Sequence, residues 1–194
     1  MAYIGKSVIG VEHPATSALN ATTGTFSGIV KTDTIQTNAG KPIVNSTGSV
    51  LQVIEAPTPT STYTMSSTSL ADATNFSASI TPQNSSSKIL ILFTARLQNT
   101  NSSGINNRGS ILIKRGSTVI QRRFVGHYIG DGSPSNRNNY NAVSLTNLDT
   151  PATTSQVTYQ VQLASADTGN SMSLTAESAP DNYHSSFILM EIAG

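Results

Sequence analysis

The sequence predicts an all-β protein: an antiparallel, jelly-roll-like β-sandwich knob preceded by an extended, intertwined trimeric stem. Three observations carry this expectation. Of the 194 residues, 69 are Ser, Thr or Asn, types that suit pleated surfaces and turns and serve poorly as helix formers. From about residue 50, short apolar runs of period two recur between Ser, Asn, Gly and Pro clusters, and no window of helical period competes with them. Before residue 50 the apolar residues are sparse and spaced by glycines.

Taken in order, residues 1–14 hold Tyr3, Ile4, Val8, Ile9 and Val11, interrupted by Gly5 and Gly10 and closed by Pro14. So short a peptide cannot bury its own apolar groups, so it is expected to dock on another protein. Residues 15–49 carry Phe26, Ile29, Ile35, Ile43 and Val44 between Gly24, Gly28, Gly40 and Gly48. One copy has too little apolar surface to fold alone, whereas three copies wound together share a single seam.

Residues 50–194 form the knob. Its expected strands are 50–56, 75–81, 88–98, 110–114, 119–125, 141–148, 156–164, 172–176 and 185–192. In SQVTYQVQLAS, Val157, Tyr159, Val161 and Leu163 fall on one face, with Thr158, Gln160 and Gln162 on the other. KILILFTARL is more continuously apolar, the pattern of a central strand covered on both faces. ILIKRGSTVIQRRF reads as a hairpin turning at Arg115, Gly116 and Ser117.

Charge is balanced, with 11 Lys plus Arg against 10 Asp plus Glu, so there is no basic footprint of a nucleic-acid binder. The chain has no cysteine, which excludes disulfides and thiolate metal sites. No secretory signal and no apolar run near the roughly 20 residues of a membrane-spanning helix is read, so no membrane insertion is expected.

Chemistry is thin. The ten acidic residues are scattered singly, without the carboxylate pair of a glycosidase. His13, His127 and His184 share no metal-ligand spacing. Asp131, Ser133 and Ser135 alternate in GDGSPSNRNN but lack the further carboxylates of a calcium loop. No catalytic residue, metal or cofactor is therefore expected, and an enzyme is disfavoured. What remains is surface chemistry. Lys114, Arg115, Arg122 and Arg123 crowd one hairpin, with Arg108 and Arg137 in neighbouring loops, and guanidinium forks suit anionic polysaccharide or phosphate. The same charges also blunt unwanted strand pairing at a sheet edge. His127 and Tyr128, Tyr140, and Tyr183 with His184 add ring systems suited to sugar stacking.

MAYIGKS, TIQTNAGKPIVNSTGSVLQV, SITPQNSSSKILI, LDTPATTSQVTYQVQL and the closing FILMEIAG together resemble the short fibre proteins of tailed bacteriophages, especially those infecting aquatic bacteria. The resemblance implies a homotrimer on the virion, held to other phage virion proteins by its N-terminal segment, with a knob that contacts a host cell-surface glycan or protein. It carries no catalytic motif. The stem is shorter than that of long fibres, which leaves a capsid decoration (cement) protein or a baseplate component as alternatives, and a polysaccharide-degrading enzyme as a more remote one.

Overall fold

The structure, a computed structural model, describes residues 47–101, 106–128, 137–176 and 185–194, with backbone alone at residues 101, 106, 107, 127, 128, 137 and 138. The expected docking residues Tyr3, Ile4, Val8, Ile9 and Val11 and stem residues Phe26, Ile29, Ile35, Ile43 and Val44 lie outside the described residues.

The described residues form ten strands, in order: β1 (Val50–Glu55), β2 (Tyr63–Met65), β3 (Ala71–Ile80), β4 (Lys88–Asn101), β5 (Asn106–Arg115), β6 (Thr118–Tyr128), β7 (Arg137–Asp149), β8 (Val157–Ser165), β9 (Asn170–Leu174) and β10 (Ser186–Ile192). All nine expected strands are among them. The addition is β2, three residues too short to show a period in a Ser/Thr-rich stretch. β3 starts four residues earlier than expected, because its register breaks between Asp72 and Ser77 and Asn75 takes a φ of 68°. Asn tolerates that left-handed conformation better than most residues, and its amide donates to the Ser61 hydroxyl at 3.1 Å.

Two antiparallel sheets pack as a sandwich. One has six strands. Its spine is β4, which pairs with β7 along its length. On its other side β4 pairs first with β10, over Lys88–Thr94, and then with β9, over Leu97–Asn101. β1 continues beyond β10 and β2 beyond β9. The second sheet has the order β3-β8-β5-β6. Between them lie Ile89, Ile91, Phe93, Leu97, Leu145 and Leu189 from the first, against Phe76, Ile80, Ile111, Ile113, Tyr159 and Leu163 from the second. Phe93 and Phe187 meet edge to face, their centroids 5.3 Å apart. β8 keeps the alternation its sequence shows, with Tyr159, Val161 and Leu163 buried.

The β5–β6 hairpin turns through Gly116 and Ser117, with Arg115 opposite Thr118. Gly116 has a φ of 57° and Ser117 is not in the positive region, the pattern of a type II′ turn whose twist matches the strands.

The sandwich has a near end, where the chain enters at Gly48, and a far end. Gly48 donates to the Ala193 carbonyl and Ala193 to the Ser49 carbonyl, both at 2.8 Å. Val50, Ile192, Lys88 and Asp149 follow at the same end. Two carboxylates, one buried and one partly buried, fix it. Glu191, with no exposed surface, accepts from the Gln52 amide at 2.6 Å and from the Gln83 and Asn84 backbone N–H groups at 2.7 and 3.4 Å. Asp149 accepts from Arg115 Nε at 2.6 Å and from the Tyr159 hydroxyl at 2.7 Å, tying β7 of one sheet to β5 and β8 of the other.

One expectation is corrected. β4 is central, but the described residues cover only one of its faces: Ile89, Ile91, Phe93 and Ala95 are buried, whereas Leu90 and Leu92 on the opposite face are half-buried.

Candidate functional site

The far end is built from polar strand ends. Asn99, Thr100 and Asn101 of β4 stand opposite Asn139, Asn138 and Arg137 of β7, and Asn106 and Asn107 of β5 stand opposite Tyr128 and His127 of β6. The register therefore brings Arg137, Tyr128 and His127 to this end; their side chains, and the whole of Tyr183 and His184, lie outside the described residues.

Among the described residues, two aromatic rings stand exposed in the far half, one on each outer face of the sandwich, and each is met by a guanidinium. On the six-stranded sheet, strand alternation points Arg96 outward from β4 and Tyr140 outward from β7. The Arg96 guanidinium lies 3.9 Å from the centre of the Tyr140 ring, which is 49% exposed. Thr94, Ala142 and Ser144 extend this surface into a groove of about 510 Å³.

On the other sheet, Arg108, Ser110 and Leu112 of β5 share the outward face with Arg122, Phe124 and Gly126 of β6. Arg122 lies 5.0 Å from the Phe124 ring centre and donates to the Ser110 hydroxyl at 3.1 Å. Phe124 is 81% exposed, and with Arg108, Val125, Gly126 and Ala166 it lines a depression of about 450 Å³. Exposing a phenylalanine to that extent forfeits about 1.5–3 kcal/mol of burial, a cost that adhesion surfaces recover on contact.

The basic hairpin does not gather its charges into one patch. Arg115 turns inward at the near end to Asp149. Lys114 pairs with Asp72 at 2.7 Å. Arg122 and Arg123 are neighbours on a strand and so point to opposite faces. Among the described basic residues expected at the surface, Arg108 and Arg122 share one outward face, on either side of the rung that holds Phe124.

Phe124 and Arg96 were missed because both sit in strands that read as apolar. The alternation RRF places Phe124 on the face of Arg122, and that of KILILFTAR places Arg96 opposite the buried Ile89, Ile91 and Phe93; those were the available signals.

Titration follows the same geometry. Burial works to raise the Asp149 pKa, but the Arg115 guanidinium and the Tyr159 hydroxyl outweigh it and leave the carboxyl below its ordinary value. Burial and the Asp149 carboxylate push the Tyr159 hydroxyl well above its ordinary value. At Asp72 the Lys114 ammonium is the main cause of a lowered pKa. Among the described residues no group of three or more His, Asp or Glu side chains could hold a metal ion, and no helix is long and apolar enough to cross a membrane. Chemically, such a face offers a ring for the C–H face of a sugar and a neighbouring guanidinium for a carboxylate, sulfate or phosphate.

No protein-family model matches the chain, and no curated protein matches it. Among solved structures it is similar to dimeric latent PorU from Porphyromonas gingivalis, at 7% sequence identity and a TM-score of 0.32, over 76% of this chain and 14% of that one. A likeness of this size carries no argument about fold or function.

Proposed function

We propose that the chain is a bacteriophage virion structural protein, a homotrimeric fibre whose C-terminal knob attaches to an anionic glycan of the host surface. The observation that carries this reading is the sidedness of the sandwich: the Arg122–Phe124 surface and the polar strand ends occupy the far half, while the chain enters at the near end. An adhesive knob on a stem needs that polarity. Strand order adds support for a jelly roll. Leaving out β2 and β9, the sheets read β1-β10-β4-β7 and β3-β8-β5-β6, the arrangement of two interleaved Greek keys, which viral capsid and lectin domains share. That kinship is a fold-level analogy and the function rests on the surface.

Three weak sites on one trimer act together, so avidity does not require a deep pocket. The test is binding of full-length protein to immobilised capsular polysaccharides and lipopolysaccharides, both anionic and neutral. The expected result is retention on an anionic member, weakened at least about tenfold by Phe124→Ala or Arg122→Ala, with unchanged circular dichroism. Retention on none of them, with labelled protein found at symmetry-related sites on the phage head, would overturn the reading in favour of a cement protein.

A further inference from the structure

The outward face of the six-stranded sheet changes character from end to end. In its far half it carries Thr94, Arg96, Tyr140 and Ser144; in its near half it is apolar. One register-aligned row crosses four strands there: Val53 of β1 opposite Met190 of β10, Met190 opposite Leu90 of β4, and Leu90 opposite Leu148 of β7. Val53 and Leu148 are 54% and 50% exposed. Ile188 beside Leu92 forms the row above it, and Val50 beside Ile192 the row below.

We propose that this near-half face is where a second copy of this chain docks, so that the knobs of the trimer pack around a common axis through it. The inference rests on the trimeric reading above and goes further by naming the surface. Three lines of argument select a copy of the same chain as the occupant. The first is size. With rows about 7 Å apart and strands about 4.8 Å apart, the patch covers roughly 300 Å²; this is the scale of an apolar interface centre, around which a polar rim completes roughly 800 Å² per partner. The second is charge. The rim holds Glu55, opposite Ile188, and Lys88, opposite Ile192, so the face sums to zero. It offers a charged foreign partner nothing to recognise and sets up no like-charge repulsion between copies. The third is position. Each chain enters its sandwich at Gly48–Val50, beside this patch, so in a trimer of parallel chains these faces stand at the same level. The face also explains why β4 is apolar on both sides although the core takes only one.

The experiment uses the full chain, which lacks cysteine. Sedimentation is measured for the wild type and for Val53→Glu combined with Leu148→Glu, both at exposed positions. Separately, Val53→Cys and Leu148→Cys are placed together in one chain and treated with a bis-maleimide too short to span the row within that chain. The expected result is a wild-type trimer, association weakened at least about tenfold in the double Glu variant, and cross-links between copies. A wild-type trimer that neither weakens in the Glu variant nor cross-links would overturn this interface while leaving the fibre reading intact. A wild-type monomer at every concentration would overturn both. If the Glu variant loses its strand signal in circular dichroism, the cross-linking result decides alone.

Discussion

Glu191 shows what a single residue does here. It is a carboxylate with no exposed surface that gathers one side-chain amide and two backbone N–H groups, so removing it takes the acceptor from three partly buried donors. Glu191→Ala is expected to lower unfolding free energy by about 3 kcal/mol, measured by urea denaturation. Asp149 and Tyr159 form the second clasp, with a pH dependence whose sign is fixed. The folded Asp149 pKa is depressed, so its contribution is complete above the unfolded value of about 3.9 and disappears as pH falls through the lower folded value. The folded Tyr159 pKa is raised, so its contribution is complete below about 10 and is lost as pH rises beyond that. The melting temperature should therefore fall at both extremes. Tyr159→Phe should cost about 1.5 kcal/mol near neutrality and shrink the alkaline fall; an unchanged alkaline fall in that variant would show that the hydroxyl is not its source. Little of this was legible beforehand. The residues could be read from the chain, but Glu191 and Gln83 are far apart in sequence and meet only after folding.

At the level of elements, the period-two pattern determined strand existence well, because one buried face forces alternation whatever the partner strand is. It placed β8 and its inward residues correctly. It failed at β2, too short to show a period, and at β4, where apolar residues on both faces imply two covers and the described fold supplies one. Where sheets come close, side-chain size becomes decisive. A Cβ at Gly109 in β5 would run into the Met172 thioether and come within 2.5 Å of the Ala164 carbonyl oxygen. The thioether can move; the backbone oxygen of the paired strand cannot do so without breaking the ladder. Gly109→Ala should therefore destabilise by about 2 kcal/mol, seen as a lower midpoint in thermal melting. A neutral substitution would mean that β5 and β8 approach less closely at Gly109 than described.

For the whole molecule, the consequence of the proposed role is a binding surface that responds to salt. Arg108 lines the depression beside Phe124, and Arg122 lies against the Phe124 ring, so screening should weaken their attraction to an anionic glycan as the Debye length falls from about 10 Å at 0.1 M to about 3 Å at 1 M salt. Retention of the wild type should drop over that range more steeply than retention of an Arg108→Ala, Arg122→Ala double variant. Equal slopes would place the anion contact elsewhere. The amino-acid sequence alone determined the all-β class, nearly every strand and the inward face of β8, because these depend on alternation and turn chemistry within a few neighbouring residues. Which strands share a sheet, that Arg115 points into a clasp while Arg122 meets Phe124, and that one outer face divides into an apolar near half and a polar far half were decided only by the tertiary structure. Those features depend on cross-strand register between segments as far apart as Val50 and Ile192, and a one-residue slip in any ladder would turn each of these side chains to the other face.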